Sequence, residues 1–87
     1  MFYPELIGRY CGIVLARYPR AEPHCQPDYP AGAPHLLWML NELQTSSTMS
    51  LTKKHRWLGY IQGILVSNGW ITVQEEREFT RDIFNGE

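Results

Sequence analysis

Lys53-Lys54-His55-Arg56 is an unbroken run of four basic side chains. Three firm cations and a titratable imidazole stand at the predicted start of a helix, just behind the hydroxyls of Ser47, Thr48, Ser50 and Thr52. A helix start presents free backbone N–H groups and the positive end of the peptide dipole, so it favours acids there. Each cation opposes that field by roughly a few tenths of a kcal/mol. Hydroxyls, N–H groups and cations at one helix start can together hold a phosphate or carboxylate. Ser50, Thr52, Lys53, Arg56 and Tyr60 form the expected anion set, and the arginine fork and tyrosine ring suit a flat, charged ligand such as a nucleotide. No glycine-rich phosphate loop accompanies them. The plainer alternative is a solvated run paired with Glu75, Glu76, Glu78 or Asp82.

Other reactive residue types fall into no working pattern. Cys11, His24, Cys25 and His35 lack the paired Cys-x-x-Cys spacing of a zinc site, so no metal is expected. A cysteine with a distant histidine carries no local nucleophile signature. Glu75 and Glu76 are neighbours on a helix and do not face each other, so they make no acid/base pair. No enzyme activity and no cofactor are expected. A DNA-reading helix would be basic along its length, whereas here the cations crowd one end and glycines fill the middle, so DNA is not an expected partner.

Those glycines are the most informative feature. Gly8, Gly12 and Ala16 form one small-residue stripe at four-residue spacing, and Gly59, Gly63 and Ser67 form a second. A glycine inside a helix costs about 1 kcal/mol relative to alanine, so four cost roughly 4 kcal/mol. The expected offset is close approach of another backbone at these six residues: a helix of the same chain, a second subunit or a bound ligand.

The elements that carry these residues follow from punctuation and period. Pro4 suits a first helical turn, and Leu6, Tyr10, Ile13, Val14 and Arg17 keep the helical period until Pro19 ends it, which predicts a helix over about 4–17. Five of the six prolines lie in 19–34, which predicts a long irregular connection, with His24, Cys25 and Tyr29 as the residues expected to pin it. The run from Pro34 to Gln44 is apolar nearly all round and predicts a buried helix over about 34–44. A third helix is predicted over about 51–67, with Trp57, Leu58, Ile61, Ile64 and Leu65 inward and the glycines outward. Asn68-Gly69 is a stop signal. Thr72 with Glu75 reads as a capping box opening a fourth helix over about 73–84, where Val73, Phe79, Ile83 and Phe84 are the residues available for burial. The fold class is therefore all-α: one domain over 1–87, a small bundle of about four helices with a long Pro-rich loop, expected to self-associate.

A chain of 87 residues buries only about 60–65% of its unfolded surface, so the core must be dense or the chain must associate. A net charge of −1 removes any global attraction to nucleic acid or to membranes. No apolar run approaches the ~20 residues that span a bilayer. Two cysteines read as free thiols in a reducing compartment, and Met-Phe-Tyr-Pro-Glu lacks the basic region of a signal peptide, so a cytoplasmic location is expected.

Lys54-His55-Arg56-Trp57-Leu58-Gly59-Tyr60-Ile61-Gln62-Gly63, preceded by Leu36-Leu37-Trp38-Met39 and followed by Gly69-Trp70-Ile71-Thr72-Val73-Gln74-Glu75-Glu76, resembles small proteins of tailed phages and prophages. The likeness covers roughly the C-terminal 50 residues. It implies a non-enzymatic accessory protein in the bacterial host cytoplasm that neutralises a host factor, such as a defence complex, by stoichiometric binding. Two other roles are weighed beside it: sequestering a nucleotide-like anion at the start of the third helix, and binding nucleic acid. A host protein is the expected partner.

Overall fold

In the computed structural model, which describes residues 2–85, the chain forms α1 (Pro4–Arg17), α2 (Ala33–Thr45), α3 (Leu51–Ser67) and α4 (Val73–Asn85). Met1, Gly86 and Glu87, the ends of the expected 1–87 domain, lie outside the described residues. No strand occurs among the described residues. The α1 and α3 bounds are those the sequence predicts; α2 and α4 each extend by a residue or so, with Pro34 in the first turn of α2.

Helix α2 is the centre of the bundle, and α1 and α3 both pack on it. Its buried residues, among them His35, Leu36, Leu37, Met39, Leu40 and Leu43, point to several sides, as an all-round apolar helix must. Leu6, Ile7, Tyr10 and Val14 of α1 and Leu58, Ile61 and Leu65 of α3 close on it, joined by Phe2 and Ile71.

Helix ends carry specific chemistry. Ser50 Oγ accepts the Lys53 N–H at 3.1 Å and so caps α3. At the other end of α3, Gly69 takes φ +74°, Trp70 N–H donates to Leu65 O at 3.0 Å and Gly69 N–H to Val66 O at 2.9 Å. That paired closure satisfies two orphan carbonyls and requires the left-handed glycine. Thr72 and Glu75 make the reciprocal capping box: Glu75 N–H donates to Thr72 Oγ1 and Thr72 N–H to Glu75 Oε1, both at 3.0 Å. At the start of α1, Tyr3 holds a left-handed backbone at φ 39°, which costs a non-glycine residue on the order of 1–2 kcal/mol. Its side chain offsets that strain by packing edge-on to Phe84 and His55, at centroid distances of 5.1 and 5.6 Å.

Three expectations need correction. First, no helix of the same chain packs on the glycine stripes: Gly8, Gly12, Gly59 and Gly63 are exposed, and a Cβ added at any of them would meet nothing within 4 Å. Packing within the chain is therefore not what offsets their cost. The core periods of α1 and α3 centre on Leu6–Tyr10–Val14 and Leu58–Ile61–Leu65, and the stripes lie on the far side of both helices. Second, the long connection is not pinned by side chains of His24, Cys25 or Tyr29, all of which are exposed. It is held by backbone, through His24 N–H to Pro34 O at 3.1 Å, and by the buried His35 ring, whose Nδ1 accepts the Gln26 N–H at 3.0 Å. Third, α4 does not bury Val73, Phe79 and Phe84, which stay 37–54% exposed. Its inner row is Glu76, Thr80 and half-buried Ile83, at helical spacing.

No helix among the described residues is long and apolar enough to cross a membrane. Cys11 is half-buried and Cys25 exposed, and both are free thiols. Burial pushes the Cys11 thiol up from its ordinary value.

Candidate functional site

The five residues of the expected anion set divide between two places. Ser50 spends its oxygen on the α3 cap. Thr52 is exposed on the first turn, and Lys53 reaches along the helix to place Nζ 5.5 Å from the Trp57 ring centre. Arg56 and Tyr60, one turn apart on α3, line an open hollow of about 540 Å³ together with Trp57, with His35 and Met39 of α2, and with Pro30 of the long connection.

The hollow exists because two helices with bulky edges meet there. His35 and Met39 are one turn apart on α2, as Arg56 and Tyr60 are on α3. Trp38 and Trp57 stand on the two facing edges with their centroids 5.6 Å apart and planes tilted by 44°, which braces α2 against α3. Trp38 is also 5.3 Å from the His35 ring. His35 therefore joins two structures: one side of its ring belongs to the aromatic row, and Nδ1 fixes the connection that supplies Pro30. Because Nδ1 accepts, the neutral ring carries its proton on Nε2. Met39 is buried, Tyr60 is 38% exposed and Arg56 is exposed. The surface is thus an apolar aromatic floor with a guanidinium at its rim and no carboxylate among the lining residues. Such a surface can stack on a flat group or seat an apolar side chain, with a charge beside it to fix orientation.

His55, the fourth member of the basic run, turns the other way. Its Nδ1–H donates to Leu51 O at 3.0 Å, and Nε2 of the neutral ring accepts the Tyr3 hydroxyl at 3.1 Å. Lys54 Nζ lies 5.6 Å from the Phe2 ring centre. Glu76, one of the acids weighed as a partner for the run, pairs with Arg9 instead. The run is therefore split between two faces of α3 and does not act as one charge.

A second polar cluster went unread in the sequence. Tyr10 of α1 donates its hydroxyl hydrogen to Glu76 Oε2. Arg9 donates to Glu76 Oε1 at 3.3 Å, and Gln62 of α3 donates to the Tyr10 oxygen at 2.8 Å. Burial, and then the bond to Glu76, push the Tyr10 phenol well above its ordinary range, so it stays a donor. Arg9 also stacks its guanidinium 4.6 Å from the Phe79 ring centre. Tyr10, Glu76 and Gln62 all find their partners inside the chain, so the cluster works as a fastening of α4 onto α1 and α3. The available signal was a glutamate and a threonine, Glu76 and Thr80, where the period of α4 asks for inward residues. For the hollow it was two tryptophans, Trp38 and Trp57, at the edges of apolar faces.

Among the described residues no three of His, Cys, Asp and Glu lie together in a group able to hold a metal ion. Compared with known proteins, the chain matches no family model, no curated protein and no solved structure.

Proposed function

We propose that this chain is a non-enzymatic binding protein whose α2–α3 hollow seats a partner protein, with a host factor of a phage-infected bacterium as the target. The observation that carries the reading is the company Arg56 and Tyr60 keep: a half-open floor of Trp57, Met39 and His35, without a carboxylate among the lining residues. Tryptophan, tyrosine and arginine are the residue types that dominate protein interfaces, and here they are clustered, with Trp57 already held against Trp38. The likeness of residues 36–39, 54–63 and 69–76 to small phage proteins supplies the host context, and those segments include most of the hollow. Self-association belongs to the same reading, because the outward stripes Gly8–Gly12–Ala16 and Gly59–Gly63–Ser67 leave bare backbone that a second copy could approach closely.

The test is capture of a bacterial partner by the wild-type chain and by Trp57→Ala, Arg56→Ala and, as a control on the far side, Val73→Ala. The expected result is one stoichiometric partner lost with Trp57→Ala and Arg56→Ala and kept with Val73→Ala, each loss equivalent to about 2 kcal/mol or more. Equal capture by all four proteins would remove the hollow from the account.

The nucleotide alternative is favoured by the same Arg56–Tyr60 pair beside Trp57. A thermal-shift series with nucleotides separates it: a rise of several degrees at millimolar ligand supports it, and no rise discards it.

A further inference from the structure

A second hollow, of about 580 Å³, opens where the end of α1 meets the start of α2. Residues 17–21 form one wall and residues 32–34 the other, and the lining is mostly carbon. The walls are set by backbone bonds. Ala21 N–H closes a turn onto Tyr18 O at 3.0 Å, Gly32 N–H closes another onto Tyr29 O at 2.9 Å, and His24 N–H ties the connection to Pro34 O. Trp70, in the turn between α3 and α4, packs beside one wall: its ring lies 5.7 Å from the Tyr18 ring and 5.7 Å from the Arg17 guanidinium. The recess is therefore built into the fold and does not depend on a partner to form it.

Its charge is one-sided. Arg17 and Arg20 both line it, and no carboxylate does. Neither arginine has an ion-pair partner among the described residues, where the single salt bridge is Arg9–Glu76. The first turn of α2 beside it holds no acid, and the nearest acid in sequence, Glu22, is exposed and pairs with neither arginine. The hollow is open to solvent along the exposed residues 17–20, and its inner side is the partly buried Ala21, Gly32 and Pro34 with buried Ala33. An apolar recess of this size with two unpaired guanidinium groups favours a ligand with an apolar body and one negative charge. We infer that this hollow binds a small organic anion: an aromatic or branched aliphatic body carrying one carboxylate. The body fills the recess against Ala21, Ala33 and Pro34, and the carboxylate is taken by Arg17 and Arg20. This site is separate from the α2–α3 hollow and does not rest on the function proposed for it.

The experiment is an NMR titration of the full chain with two probes of one shape, 2-naphthoate and the uncharged 2-acetylnaphthalene. The expected result is saturable movement of the backbone amides of residues 17–21 and 32–36 with 2-naphthoate. Binding of the neutral probe should be at least about tenfold weaker, the loss of one charge-assisted contact. Arg17→Gln with Arg20→Gln should bring the anion down to the neutral probe's affinity, while Arg81→Gln on the exposed side of α4 leaves it unchanged. The inference is overturned if 2-naphthoate moves no amide at millimolar concentration, if both probes bind equally, or if the movements map only to the α2–α3 hollow. Should the double variant not fold, the comparison of the two probes on the wild-type chain decides the question alone.

Discussion

Tyr10 on α1 and Glu76 on α4, 66 positions apart, share a buried hydrogen bond, and Gln62 of α3 completes it from the other side of the phenol. Three helices thus meet at one hydroxyl. The inner face of α4 offers little else, since its large apolar residues Val73, Phe79 and Phe84 are exposed. Docking of α4 rests on this polar contact, on Arg9 with its stack on Phe79, on the edge contact of Tyr3 with Phe84 and on Ile83.

Tyr10→Phe removes the hydroxyl and leaves a buried carboxylate oxygen and the Gln62 amide without a partner. The expected cost is about 1–3 kcal/mol in urea unfolding. Glu76→Ala should cost a similar amount, and the double variant clearly less than the sum, because both changes break one contact. Simple additivity would show that the two residues act separately.

The long connection should come loose when one imidazole is lost. His35→Leu keeps an apolar body in the α2 position but leaves the Gln26 N–H without its acceptor. Hydrogen exchange at Gln26 and proteolysis within residues 18–32 should both speed up, while amides in the middle of α3 keep their protection. Unchanged exchange at Gln26 would mean that the backbone bonds alone hold the segment.

Where the chain's local grammar decides, the sequence was legible. Pro4, Pro19, Pro34 and Gly69 mark helix ends, Thr72 and Glu75 give a cap, and the apolar period of α3 gives its inward face. Residues that meet across the chain were not legible. Nothing near Glu76 in sequence points to Tyr10, and nothing near Gln26 points to His35, because such pairs are set by how helices dock. The stripes show the opposite failure. Their spacing was plain, but spacing names a face of a helix and does not say what covers it. Arg56 and Tyr60 were singled out as an anion site, and their aromatic neighbours from α2 emerged only with the fold.

Gly59→Ala and Gly63→Ala measure what the bare stripe of α3 does. In a single chain each added methyl enters open space on a helical backbone, and the unfolded chain loses freedom. Dilute protein should therefore gain about 0.5–1 kcal/mol per substitution. Gly63→Leu should keep the monomer folded and, at high concentration, reduce the mass seen by light scattering if copies pair through this face. A loss of stability in the dilute monomer would contradict the exposed placement.

The capping box gives a pH dependence of known sign. The Thr72 backbone N–H first, and its side chain second, hold the Glu75 carboxyl below its usual range. A carboxyl lowered on folding adds stability above its unfolded value of about 4.3, and that stability is lost as pH falls through the lower folded value. Glu75→Gln keeps a hydrogen-bonding side chain without the charge. Wild type should melt above Glu75→Gln at neutral pH, and the two should converge in acid. A gap that ignores pH would assign the cap to geometry alone.

The central claim, that the α2–α3 hollow is the face a partner occupies, is tested most directly by cross-linking in cells. A photoreactive phenylalanine analogue replaces Tyr60 at the rim of the hollow or, as a control, Val73 on α4. The account predicts one adduct of defined mass from position 60, abolished by Arg56→Ala, and none from position 73. Adducts from position 73 alone, or the same adducts from both positions, would contradict it.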